Sequence, residues 1–177
     1  LFDNTTGANN VSVGYAALAN NTTAANNVAI GYNALNTNTT GTQHVAVGGS
    51  ALDANTTGSY NTAVGYETLT TNTTGAENTA LGTSSMKDNT TGTYNTAIGV
   101  ASLQHNTTAN DNVAVGYLAL YENTTGTGNT AIGKGTLDAN TTGNYNEAIG
   151  IDALTAVTTG SSNIGIGRGA AGTVTTQ

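Results

Sequence analysis

The tripeptide Asn-Thr-Thr is the recurring motif of this chain that could do chemistry, because Asn-x-Thr is the acceptor sequence for N-linked glycosylation. Nine copies occur, each 17 residues after the one before. The candidate acceptors are Asn4, Asn21, Asn38, Asn55, Asn72, Asn89, Asn106, Asn123 and Asn140. The same tripeptide suits a turn, since Asn tolerates left-handed backbone and Asn or Thr side chains bond to nearby amides. We favour the turn, and a glycan on it stays open.

Two glycine-containing segments resemble cofactor motifs only in part. Gly128 to Lys134 matches G-x-x-x-x-G-K, but Gly135 stands where a phosphate-binding loop needs Ser or Thr for Mg²⁺. Gly165 to Ala170 matches the dinucleotide fingerprint, but no strand–helix–strand pattern surrounds it. The sequence therefore predicts no cofactor.

The titratable side chains do not form a recognisable catalytic or metal-binding set. His44 and His105 are 61 residues apart in the chain and lie at different points of the repeat, so they do not predict a metal-binding pair. Carboxylates such as Asp53, Glu122 and Asp138 are scattered, and no Ser–His–acid set is concentrated anywhere. We predict no catalytic residue, no metal site and no enzymatic activity.

Tyrosine recurs at fixed points of the repeat. One row comprises Tyr15, Tyr32, Tyr66 and Tyr117, and another Tyr60, Tyr94 and Tyr145. Exposed Tyr rings can contact sugars through their faces, so a carbohydrate-binding or surface-binding adhesive module is an alternative function. Rows of Thr also suggest ice binding, but two adjacent Thr side chains point to opposite sides of a strand. Ice binding is therefore a weaker alternative.

These residues are positioned by a tandem repeat that occupies the chain from residue 1 to 177 as a single array. Counted from its Asn, the unit has the consensus N-T-T-G-x-x-N-[VT]-A-[VIL]-G-x-x-[AST]-L-x-x. Units start at 4, 21, 38, 55, 72, 89, 106, 123, 140 and 157, with no insertion or deletion between them. Val174 to Gln177 begin a further unit, and we expect the chain to be a segment of a longer fibre protein.

The period and composition predict an all-β fold. Seventeen residues are too few for a helical-hairpin repeat of about 33–47 residues, and Thr, Asn and Gly disfavour helix. In the segment from Asn27 to Gly31, a strand would place Val28 and Ile30 on one face and Asn27 and Ala29 on the other. We predict a parallel β-solenoid of ten coils, each with two short strands and two turns.

The hydrophobic positions predict the interior of the coil. Position 10 is aliphatic in all ten units and position 15 is Leu in eight, so we expect both in the core, with Val or Thr at position 8 beside them. Position 9 is always small and would then form a smooth outer stripe that a second subunit could approach. The candidate interface is Ala29, Ala46, Ala63, Ala80, Ala97, Ala114, Ala131 and Ala148. Alternatively these alanines fit a narrow coil interior, because strand alternation does not say which face is inside.

Charge and composition exclude several classes of protein. The formal net charge is −7, with only Lys87, Lys134 and Arg168 as bases, which argues against nucleic-acid binding. The absence of Cys excludes disulfide scaffolds and thiolate metal sites. No apolar stretch approaches the roughly 18–20 residues of a membrane span. Asn and Thr are abundant, as in disordered chains, but disorder does not require a fixed aliphatic residue every 17 positions.

The repeat resembles those of known fibrous proteins over nearly the whole chain. Asn26-Asn27-Val28-Ala29-Ile30-Gly31 resembles the N-S-V-A-I-G repeat of YadA-like trimeric autotransporter adhesin heads, and the segments 112–116 and 129–133 resemble it more loosely. Asn55 to Leu69 is similar to the NTTG-type repeats of phage tail fibres and large bacterial surface proteins. The resemblance implies a left-handed parallel β-roll in a homotrimer. YadA-like coils are typically shorter, and the extra residues here fall near Asn-Thr-Thr-Gly.

Repeat and resemblance together predict a structural segment of an extracellular fibre, filament or stalk, of the adhesin or phage tail-fibre type. Its expected location is the cell surface, a secreted filament or a virion fibre. The expected partner is the chain itself, as a homotrimer or an axial polymer. Covalent glycans and cell-surface carbohydrate remain further candidate partners.

Overall fold

The computed structural model describes residues 1–171, so Val174 to Gln177 lie outside the described residues. The regular elements are ten β-strands of three residues each. They are β1 (Val11–Val13), β2 (Val28–Ile30), β3 (Val45–Val47), β4 (Thr62–Val64), β5 (Thr79–Leu81), β6 (Thr96–Ile98), β7 (Val113–Val115), β8 (Thr130–Ile132), β9 (Glu147–Ile149) and β10 (Ile164–Ile166).

The strands form one parallel sheet in chain order, from β1 at one end to β10 at the other. Equivalent repeat positions lie opposite one another, so that Ala29 pairs with Ala46 and Ala46 with Ala63. Because each strand lies 17 residues after its neighbour, the intervening chain completes one coil per repeat. The predicted parallel β-solenoid is thus confirmed.

Each coil has one strand, and the prediction of a second strand around position 15 was wrong. Asn33 and Leu35 adopt left-handed backbone, each with a φ of 53°, whereas a strand requires negative φ. This side of the coil still bonds to its neighbours. The Asn33 N–H donates to the Tyr15 carbonyl at 2.9 Å, and the Leu35 N–H donates to the Ala51 carbonyl at 2.9 Å. Coil-to-coil hydrogen bonds therefore continue outside the sheet.

The inner face of each strand is the alanine face, which reverses the predicted orientation. Ala29 and Leu35 are fully buried, while Ile30 remains 38% exposed. The cause is the small width of the interior. At Gly165, which replaces the alanine in β10, an added Cβ would lie 2.7 Å from Leu154 Cγ, so the leucine already occupies this space. The prediction that position 15 is buried is confirmed, and the prediction that positions 8 and 10 fill the core was wrong.

This orientation contradicts the candidate subunit interface at position 9. All eight alanines have 0% exposed surface within a single chain, so no second chain can contact them. The eight are Ala29, Ala46, Ala63, Ala80, Ala97, Ala114, Ala131 and Ala148. The alternative interpretation, that alanine fits a narrow coil interior, is the one that the structure shows.

Glycine at position 11 ends each strand for two physical reasons. Gly65 has a φ of 142°, which side chains rarely permit. It also stacks directly on Gly82 of the next coil, whose carbonyl carbon would lie 2.7 Å from a Cβ at residue 65. Any other residue here would strain its own backbone and separate two coils.

Candidate functional site

The asparagine of each Asn-Thr-Thr turn points into the coil. Asn55 is fully buried, and its Nδ2 donates to the Gly58 carbonyl at 3.1 Å and to Asn38 Oδ1 of the preceding coil at 2.9 Å. Its own Oδ1 accepts from Asn72 Nδ2 of the following coil at 2.9 Å. The pattern recurs along the rod, so these side chains form a continuous ladder of amide hydrogen bonds through the interior.

This ladder contradicts the predicted glycosylation sites. In Asn21, Asn38, Asn55, Asn72, Asn89, Asn106, Asn123 and Asn140 the side chain is fully buried, and Nδ2 donates both of its hydrogens. Asn4, in the first coil, is half-buried and donates to the Gly7 carbonyl at 2.9 Å. A glycan on Nδ2 would replace a donor hydrogen and require space that the interior lacks. The turn interpretation of Asn-Thr-Thr is therefore the correct one for the folded chain.

The two threonines of the turn have different surroundings. The Thr56 hydroxyl donates to the Thr73 carbonyl of the next coil at 3.1 Å and is half-buried, and the same bond recurs from coil to coil. Thr57, its neighbour, is exposed. Each turn therefore exposes one of its two threonines. The exposed threonines form a single row along the rod, not two parallel rows.

A second ladder, which was not predicted, is formed by the asparagine at position 7. Asn78 is buried, its Nδ2 donates to the Gly92 carbonyl at 2.8 Å, and its Oδ1 accepts from the Asn95 backbone N–H at 3.0 Å. The sequence held a signal for it. Asn recurs at position 7 on the same strand face as the small residue at position 9, which marks that face as the one with specific internal contacts.

The first ladder ends where the repeat departs from its consensus. The tenth unit has Val157 in place of Asn, and Val157 is buried. Asn140 Oδ1 consequently has no hydrogen-bond donor among the described residues. In the preceding coil, by contrast, Asn123 Oδ1 accepts a hydrogen bond from Asn140 Nδ2. The ladder therefore depends on an unbroken run of asparagines.

His44 takes the place of asparagine in the second ladder. It is buried, its Nε2–H donates to the Gly58 carbonyl at 2.7 Å, and its Nδ1 accepts from the Asn61 N–H at 3.2 Å. These are the two bonds that an asparagine makes at this position, and they require the neutral ring. Burial lowers the pKa of His44 to about 4, although the hydrogen bond to the Gly58 carbonyl opposes this shift.

The ionic contacts are isolated pairs on the surface. Lys87 Nζ lies 2.6 Å from Glu67 Oε2, and this hydrogen bond lowers the pKa of Glu67. His105 Nδ1 lies 2.7 Å from Asp88 Oδ2. Within residues 1–171, no three His, Cys, Asp or Glu side chains are close enough to share a metal ion.

Some of the tyrosine rings stack along the rod. The rings of Tyr15 and Tyr32 are 5.4 Å apart and inclined by 11°. The Tyr66 ring extends over Gly49, where an added Cβ would lie 3.3 Å from the ring. The rings remain more than half exposed. They form a short aromatic strip beside the sheet rather than an enclosed pocket.

Comparison of the chain with protein-family models, with curated proteins and with solved structures found no match. No helix in the part of the chain that the structure describes is long and apolar enough to cross a membrane. The class of the protein therefore rests on its own geometry: it is a tandem-repeat parallel β-solenoid with two internal asparagine ladders.

Replacing one turn asparagine should destabilise the rod. We expect Asn89→Ala to cost about 3 kcal/mol, because it leaves Asn72 Oδ1, the Gly92 carbonyl and Asn106 Nδ2 without their buried partner. Thr91→Ala, in the same turn, is the matched control and should change stability by less than about 0.5 kcal/mol, since Thr91 is exposed. Chemical denaturation followed by circular dichroism measures both, and equal effects would contradict the ladder.

Stability should fall in acid because of His44. The pKa of His44 in the folded chain, about 4, lies below the value of 6.5 for a free histidine, so the unfolded chain binds the proton more readily. The neutral ring contributes about 3 kcal/mol to the free energy of unfolding. This contribution is fully present above pH 6.5 and is lost as the pH falls towards 4. Denaturation midpoints of wild type and His44→Asn, compared at both ends of this range, test this. A pH dependence that His44→Asn leaves unchanged would contradict it.

Proposed function

We propose that this chain is a structural rod segment of an extracellular fibre, filament or stalk. The observation that carries the proposal is the uniformity of the coils. The same backbone pairing recurs from one end to the other, and the same internal amide bonds recur in successive coils, with His44 conforming to the pattern of the asparagines around it. Such an arrangement supplies length and stiffness, and it distributes its polar residues along the rod instead of gathering them at one point.

The resemblance to YadA-like adhesin heads and to phage tail-fibre repeats supports the extracellular location and a role in adhesion, host attachment or reach. A left-handed roll and self-association, as a homotrimer or an axial polymer, are parts of the same proposal. The position 9 alanines cannot supply the contact between subunits, so it must involve other residues.

Carbohydrate binding is the second candidate, and the tyrosine strip favours it. Tyr15 and Tyr32 present stacked rings that are 74% and 60% exposed. Sugar rings pack on such surfaces through their C–H faces. On this alternative the rod would carry an adhesive strip in addition to its structural role.

The two candidates differ in solution behaviour. As a structural rod, the recombinant chain should scatter X-rays as a cylinder about 45 Å long or longer, since ten coils stack at about 4.8 Å. It should also fail to bind a glycan array. Specific array binding that Tyr15→Ala and Tyr32→Ala together abolish would establish the second candidate. A globular or unfolded scattering profile would contradict the first.

A further inference from the structure

The outer face of the sheet carries an unbroken row of aliphatic side chains along the whole rod. We call this the sheet face and define it by positions 8, 10 and 12 of each repeat, which include the outward side chains of every strand. Position 10 is aliphatic in all ten coils, and these side chains stay substantially exposed. Val13 is 57% exposed, Leu81 46% and Ile132 39%.

The size of this face is comparable with that of the largest apolar patch on a typical monomer. Ten strands about 4.8 Å apart, over the five residues from position 8 to position 12, give an area of about 600 Å². That area, which includes some threonines and three charged residues, is at the upper end of the range for the largest apolar patch on a monomer. Two such faces in contact would bury about 1,200 Å², which is enough for a specific interface at the lower end of the usual range.

The charges on the sheet face have a distinctive distribution. Glu147 is the only charged residue at positions 8 and 10, although the chain has ten carboxylates. At position 12, on the opposite edge, the only charged residues are Lys134 and Arg168. These two bases belong to the coils immediately before and after that of Glu147, and all three side chains are exposed. None of the three forms an ion pair within residues 1–171.

We infer that the sheet face packs against the sheet face of a second copy of this chain, with the two rods parallel and in register. In a closed assembly about an axis along the rod, position 8 of one copy meets position 12 of the next at the same height. Glu147 of one copy then lies between Lys134 and Arg168 of its neighbour. The single acid and the two bases of the face are thereby paired, and the remaining contact is made mainly by aliphatic, tyrosine and threonine side chains.

Antiparallel packing of the same faces leaves these charges unpaired. It would place Glu147, in the ninth coil, opposite position 8 of the second coil, which is Val28. A carboxylate buried against valine is costly, because its desolvation has no compensating partner. A membrane surface is also a poor occupant, since the chain has a net charge of −7 and only three bases.

Paired lysine substitutions test whether the sheet face is the contact. We expect the wild-type chain to sediment with at least twice its monomer mass of 17.5 kDa. Leu81→Lys with Ile132→Lys should reduce that mass to the monomer. Thr74→Lys with Thr125→Lys adds the same charges to exposed turns of the same two coils and should leave the oligomer intact. Circular dichroism confirms that each variant is folded.

Charge reversal tests the parallel register. Glu147→Lys alone, and Lys134→Glu with Arg168→Glu, should each weaken association by about tenfold at low salt, because each places like charges together. Combining all three substitutions should restore association to within about threefold of wild type, because the pairs re-form with opposite sign. Additive weakening in the triple variant would overturn the parallel, in-register arrangement.

This inference rests on the proposed structural function but can fail separately. A wild-type chain that is monomeric, or a sheet-face variant as fully associated as its turn control, would overturn the interface. If the monomer still gives the X-ray scattering of a rod and binds no glycan on the array, the proposed structural function is retained. A chain that associates through the sheet face but binds a glycan through the exposed tyrosines outside that face, Tyr60, Tyr94 and Tyr145, would instead retain the interface and displace the purely structural role.

Discussion

The narrow interior of the coil is the constraint on which the other features depend. Only one strand and its return turn enclose it, and the leucine at position 15 already fills part of the space. The strand face therefore directs inward mainly a methyl group and an amide, as in Ala29 and Asn27, and the His44 ring is accommodated where it makes the bonds of that amide. The amide is tolerated because coil stacking supplies its partners at fixed distances, as between Asn55 and Asn72. Width and stacking together explain why this rod has a polar core.

The period, the parallel pairing and the solenoid could be predicted from the sequence, because they follow from fixed spacing and strand alternation. The orientation of the strand could not. Alternation separates Ile30 from Ala29 without saying which is inside, and hydrophobicity alone favours Ile30. In the folded coil the interior is too narrow for the larger side chain, so Ala29 lies inside and Ile30 outside. The role of Asn55 was missed for a related reason: its tripeptide is common to turns, glycan acceptors and ladders, and only the buried position of its Nδ2 distinguishes them.

The reversed orientation changes what the surface offers. Aliphatic side chains that would have formed a core, such as Leu81 and Ile98, instead form a flat outer face. On the interface that we propose, this face would associate two rods laterally, and Glu147, Lys134 and Arg168 would set their relative direction. Coil stacking determines the length of the rod, and in our proposal the sheet face would determine how two rods combine.

Hydrogen exchange of the asparagine side-chain amides, observed by NMR, tests the internal ladders most directly. The account predicts that the Nδ2 protons of buried residues such as Asn72 and Asn95 exchange on the order of a thousandfold more slowly than those of the exposed Asn9. Slow exchange at both repeat positions would place the amides inside the coil. Exchange of Asn72 and Asn95 at the rate of Asn9 would contradict the polar core and, with it, the outward orientation of the aliphatic face.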